Sequence, residues 1–159
     1  MIYGVIIFLL ATADLIVKQL IEGQKAETFP RPLEGSNGKI LLYQNHNAGF
    51  PFGLLEKYGD LVRMLPLAVT SALAGALAAL AAGKEQVVRK LALATVIGGS
   101  LSNLYDRFVR RYVVDYFSIQ IGPLKKVVFN LGDVCVFLGS VVLILAELAE
   151  EIRSARKPA

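Results

Sequence analysis

The sequence predicts an all-α membrane protein of four transmembrane helices, and three observations predict it. Of its 159 residues, 55% are hydrophobic and only 19% charged, where an ordinary soluble domain carries roughly 25% charged residues. That leaves too little polar surface to coat a globule. The mean hydropathy is +0.54, and the apolar residues gather in four runs near the length of a bilayer-crossing helix. The same balance excludes a disordered chain, a collagen-like chain and most soluble enzymes. The single Cys, Cys135, excludes an internal disulfide framework, and with the single His, His46, it cannot complete a four-ligand zinc site. A net charge of +4 is too small to argue for nucleic acid, and no such partner is expected.

The expected spans are about 2–21, 62–83, 87–106 and 128–147, within a single domain covering 1–159. The first is apolar except for Asp14 and Lys18. Within the second, 64–83 holds no charged side chain and one proline, Pro66; at 1.5 Å rise per residue such a stretch covers about 30 Å of hydrocarbon. Arg89 and Lys90 open the third, and Asp106 and Arg107 close it. The fourth is interrupted by Asp133 and closed by Glu147, Glu150, Glu151 and Arg153. Four spans put both termini on one side. Lys84, Arg89 and Lys90 in the short second connection favour a cytoplasmic side for them, although the opposite side also carries basic residues. Ala11-Thr12-Ala13 resembles a signal-peptide cleavage site, which would leave three spans. No Lys or Arg precedes the run, however, and apolar residues resume after Asp14, so a retained helix is expected.

The long polar segment lies between the first two spans. Pro30 and Pro32 forbid a regular helix there. Asn37-Gly38 reads as a tight turn feeding a strand over 39–45. A glycine-rich aromatic loop, Asn47-Ala48-Gly49-Phe50-Pro51-Phe52-Gly53, follows and is expected to act as a moving lid.

An ionisable group in a hydrocarbon span costs at least ~2.5 kcal/mol, so each such group is a functional candidate. Asp14 and Lys18, four apart, share a helical face and neutralise each other, either as an orienting ion pair or with a direct role. Gly99, Asn103 and Arg107 recur at i, i+4 and i+8, with Asp106 beside them. Helix packing accounts for the glycines and Ser100, but not for Asn, Asp and Arg gathered at one membrane boundary. Asp115 follows the third span and Asp133 lies just inside the fourth, with seventeen residues between them on one side of the membrane. Two carboxylates sharing a low-dielectric site cannot both ionise cheaply, so one keeps its proton. That supplies a general acid and a general base from one residue type. His46, in a polar loop, reads as a solvated side chain, and Cys135 as an inert core thiol. Carboxylates alone could hold Mg²⁺, but no Asp-rich repeat that would suggest a phosphate-handling site is present.

Four segments then occur in a telling order: Asp14 to Lys18; Asn47 to Gly53; Gly98-Gly99 through Asn103 to Asp106-Arg107 with Val114-Asp115-Tyr116-Phe117; and Phe129-Asn130-Leu131-Gly132-Asp133. Together they resemble lipoprotein signal peptidase, the bacterial signal peptidase II family. The resemblance implies a four-helix enzyme of the bacterial cytoplasmic (inner) membrane, with a small extracytoplasmic β-cradle at about 36–58 and the active site facing outward. It implies a metal-independent aspartic endopeptidase that cuts prolipoproteins just before a diacylglyceryl-modified cysteine. Asp115 and Asp133 match the catalytic pair. Asn47, Gly49, Gly99, Asn103, Arg107 and Asn130 match substrate-binding positions, and Asp14, Lys18 and Asp106 match site support. The expected partners are prolipoprotein substrates and membrane lipid, and a monomer is expected. Val17, Pro51, Ser102 and Gly132 depart from the family's usual Thr or Ser, small residue, Gly and Ala. A small polytopic transporter using the same acidic and basic groups is the alternative reading, as is an inactive homologue that binds precursors without cutting them.

Overall fold

The stretch from Ile2 to Glu22 is mostly apolar and holds no proline, and it forms helix α1, Ile2–Glu22. The computed structural model describes residues 1–49, 57–83 and 85–155. The other apolar runs form α2, Gly59–Ala81, α3, Val87–Tyr105, and α4, Leu131–Ala155. Among the described residues, α1, α2 and α4 are long and apolar enough to cross a membrane. α3 falls short of that measure because Arg89 and Lys90 open it and Ser100, Ser102 and Asn103 occupy its second half. It is instead the most enclosed helix. It packs against each of the other three, with Leu93, Ala94 and Ile97 in a core shared with Leu77 of α2. The α3–α4 seam is set by two glycines. A Cβ on Gly132 would lie 2.7 Å from the Gly99 carbonyl, and one on Gly99 would run into the Gly132 carbonyl.

The polar segments build a three-stranded antiparallel sheet, ordered β1 (Arg31–Pro32), β2 (Ile40–Asn47) and β3 (Val113–Ile119). Asn37 (φ 50°) and Gly38 (φ 75°) form the expected turn into β2, as positive φ at both central positions requires. Pro32 is tolerated because β1 is an edge strand. The sheet extends beyond the expected cradle, 36–58: among the described residues that segment supplies β2, and β1 and β3 come from either side of it in sequence. Loop residues 50–56, and the expectation of a lid that rests on them, lie outside the described residues. Val114 and Tyr116 of β3 pack on Ile21 of α1, seating the sheet on one end of the helices. A π-helical turn, Asp106–Arg110, links α3 to β3.

Candidate active site

The first turn of α4 leaves backbone N–H groups without helical partners, and Asn130 caps them. Its Oδ1 accepts from the Asp133 N–H at 2.8 Å, while Asp133 Oδ2 accepts from the Asn130 N–H at 3.1 Å. This reciprocal capping box fixes the Asp133 carboxylate at the positive end of the helix. Its other oxygen accepts from Asn103 Nδ2 at 2.9 Å. That amide cannot turn over, because Asn103 Oδ1 is taken by the Lys18 ammonium at 2.7 Å.

Asp115 arrives from a different element. It sits on β3, 3% exposed, and its Oδ1 accepts from Asn130 Nδ2 at 2.8 Å. Asn47 of β2, diagonal to it across the ladder, donates to Oδ2 at 3.1 Å. Burial pushes Asp115 up to about 7; the Asp133 charge adds to this, and the two asparagine donors oppose it. One side chain, Asn130, thus touches both aspartates. A cavity of about 990 Å³ opens on them, lined also by Asn47, Gly49, Asn103 and Arg107, with Pro66, Val136 and Phe137 as apolar walls.

Behind the pair lies a fully buried polar junction. Asp14, 0% exposed, accepts from four elements: Lys18 of α1 at 2.9 Å, Ser102 of α3, Tyr116 of β3 at 2.9 Å and the Leu131 N–H of α4 at 3.0 Å. Lys18 also pairs with Asp106 at 3.0 Å, and Asp106 with Arg110 at 2.6 Å. Two carboxylates therefore face two cations, and the cluster is neutral, as its burial demands. Asp106 accepts from the Val114 N–H at 3.0 Å as well, fixing the strand one residue before Asp115.

The expected residues do not all line the cavity. Gly99 packs in the α3–α4 seam against Gly132 and Cys135 instead of facing the cavity, because any side chain there would separate the helices. Asp14, Lys18 and Asp106 stand behind it, and so does Asn130, which is 0% exposed and holds the aspartates instead of lining the cavity. His46 is solvent-exposed as expected, but it lies on β2 and not in a loop, 2.9 Å from Glu22 and stacked on Tyr112 with centroids 4.1 Å apart. Sequence reasoning missed Tyr116 and Ser102 as partners of Asp14. Burial and the Asp14 charge push the Tyr116 hydroxyl well up, so it stays protonated and donates. The available signal was a hydroxyl-bearing residue inside an otherwise apolar run.

Comparison with known proteins bears on what such a site does. Residues 6–149 match the family model for signal peptidase (SPase) II. The chain belongs to the signal peptidase II family. Lipoprotein signal peptidase of Sulfurihydrogenibium sp. is 30% identical over 145 residues, 89% of this chain and 87% of that protein. The same-named protein of Francisella tularensis subsp. mediasiatica is 29% identical over 155 residues, 96% and 94% of the two chains. A bacterial membrane enzyme solved by the in meso method at 2.3 Å shares the fold with a TM-score of 0.80 at 18% identity, covering 99% of this chain and 93% of that one. A second, at 1.9 Å, gives 0.73 at 19% identity, covering 92% of each. Membership in signal peptidase II makes this chain a protease of lipoprotein processing, and its apolar helices make it a membrane protein.

Proposed function

We propose that the chain is an intramembrane aspartic endopeptidase that removes the signal peptide of prolipoproteins just before the diacylglyceryl-modified cysteine. The observation that carries this reading is the buried Asn130 side chain, hydrogen-bonded to Asp115 and to the Asp133 amide, which brings both aspartates to the lining of one cavity with apolar walls. In this reading α3 is the fourth span, both termini are cytoplasmic, and the site faces the extracytoplasmic side of the bacterial inner membrane. The enzyme works as a monomer, without metal or cofactor.

Asp133, at the N-terminus of α4, carries the negative charge, and Asp115 holds the proton. Asp133 takes a proton from water as the water oxygen attacks the scissile carbonyl carbon, and Asp115 gives its proton to the carbonyl oxygen. Asp133 then passes its proton to the cysteine nitrogen while Asp115 recovers one from the gem-diol. The C–N bond breaks, and both carboxyl groups return to their starting state. Asn47 and Asn103 hold the two carboxyl groups in place, and Arg107 stabilises the negative charge that passes from Asp133 to Asp115.

A gel-shift assay on a diacylglyceryl-modified precursor tests this. Wild type releases the signal peptide, Asp115→Asn and Asp133→Asn each abolish release, and chelator has no effect. Retained cleavage in either variant refutes the pair, inhibition by chelator refutes the metal-free mechanism, and wild-type failure on every lipidated precursor refutes the function.

A further inference from the structure

The cavity continues inward from the aspartates along two helix faces. Asp133, Val136, Phe137 and Ser140 form one stripe of α4, and Ser100 and Asn103 one stripe of α3 that Arg107 of the following π-helical turn extends; all line the cavity. Ser100 and Ser140 are partly exposed within it. Neither hydroxyl makes a hydrogen bond among the described residues, whereas Thr95 on the same helix returns its hydroxyl to the Leu91 carbonyl at 2.8 Å. Nor are these serines needed for close helix packing. Their neighbours Gly99 and Gly139 make that contact: a Cβ on Gly139 would lie 2.7 Å from Val96. Ser100 and Ser140 stand one residue on, about 100° around each helix, facing the groove.

A donor left facing an apolar groove is matched by an acceptor that enters with the ligand, since an unpaired polar group in hydrocarbon costs free energy. Resting on the function proposed above, we infer that Ser100 and Ser140 donate hydrogen bonds to the ester carbonyls of the substrate's diacylglyceryl group. The helical part of a signal peptide bonds its own carbonyls. The two ester carbonyls enter the membrane unpaired, a few bonds from the scissile peptide. Ser100 lies about 4.5 Å along α3 from Asn103, and Ser140 about 10.5 Å along α4 from Asp133, at 1.5 Å per residue. The serines thus bracket the depth at which the glyceryl esters follow the modified cysteine.

Two lipopeptides of one sequence test this, one carrying a diacylglyceryl thioether and the other its dialkyl ether analogue, which lacks both carbonyls. Wild type cuts the diester with kcat/KM about tenfold above the diether, the worth of one to two neutral hydrogen bonds. In the S100A/S140A variant this ratio falls towards one, and turnover of the diether reports that the variant is folded. The inference is overturned by a ratio near one in wild type, by a ratio kept in the variant, or by loss of both substrates in the variant. Wild type that cuts neither lipopeptide refutes the proposed function itself, a separate result.

Discussion

Replacing Asn47 by Ala removes one of the two donors on Asp115 and touches neither Asp133 nor the α4 cap. A hydrogen bond to a charged group contributes about 1.5–3 kcal/mol, and one pKa unit corresponds to about 1.4 kcal/mol. The Asn47 bond is 3.1 Å long and only part-buried, at the weak end of that range. Its loss therefore raises Asp115 by about one unit. The sign follows from the donor favouring the ionised form. Without it the proton is held to higher pH, and Asp115 is the partner proposed to act protonated. The alkaline limb of kcat/KM, with its midpoint near the value of about 7 for Asp115, moves up to about 8. The ratio kcat/KM is the right quantity because it reports groups of the uncomplexed enzyme. Weaker substrate binding lowers the whole profile without moving its midpoint. A limb that stays in place or moves down refutes the assignment of that proton to Asp115.

Asp115→Asn abolishes activity but stabilises the fold at pH 8. A carboxyl raised from the ordinary range to about 7 destabilises the folded state increasingly between those values; the full cost is about 4 kcal/mol, and a mismatched amide leaves a net gain of about 2 kcal/mol, which thermal unfolding at pH 8 and pH 5 shows as a gain that shrinks on acidification. Lys18→Met leaves Asp14 and Asp106 without their shared ammonium and costs about 3–5 kcal/mol, read as a lowered Tm in detergent. Tyr116→Phe removes a donor to Asp14 and an acceptor for the Leu131 N–H, costing about 1–2 kcal/mol and lowering kcat more than it changes KM. Gly99→Ala forces α3 and α4 apart and costs about 1–3 kcal/mol, whereas Gly4→Ala, with open space around it, is neutral in the same unfolding assay.

The helices were legible because each apolar run is long, although α3 is less apolar than the other three. The expected 2–21 and 87–106 differ from α1 and α3 by a residue at one end, and 62–83 from α2 by two or three at each end; α4 starts three residues later than the expected 128–147 and runs eight further, through the charged residues expected to close it. The sheet was only partly legible. β2 carries a turn signal and enough length, but β1 is two residues long, and β3 reads as apolar backbone until a partner some seventy residues earlier is supplied. Asp115 and Asp133 stood out as charges near hydrocarbon. Their common neighbour Asn130 was marked by the resemblance, but its double contact was not. The partners of Asp14 were least legible: Ser102 and Tyr116 lie 88 and 102 residues away in sequence, and only packing of four elements brings them together.

Drawing the two aspartates from unlike elements has a chemical consequence. Had both stood on one helix, each would feel much the same dipole and the same neighbours, and nothing would decide where a single proton rests. Asp133 is the N3 residue of α4, bonded by a backbone N–H from its own cap and facing the positive end of the helix. Asp115 stands on a buried strand, where alternating dipoles leave little net field, and receives only side-chain amides. The asymmetry of the supports gives two identical side chains unlike surroundings, which is what the proposed division of roles needs. Asn130 enforces it by spending its acceptor on the helix and its donor on the strand residue. Exchanging that amide for a carboxylate, Asn130→Asp, keeps the cap but replaces the donor to Asp115 with a third negative charge. Loss of cleavage with the helix intact is the outcome this arrangement requires.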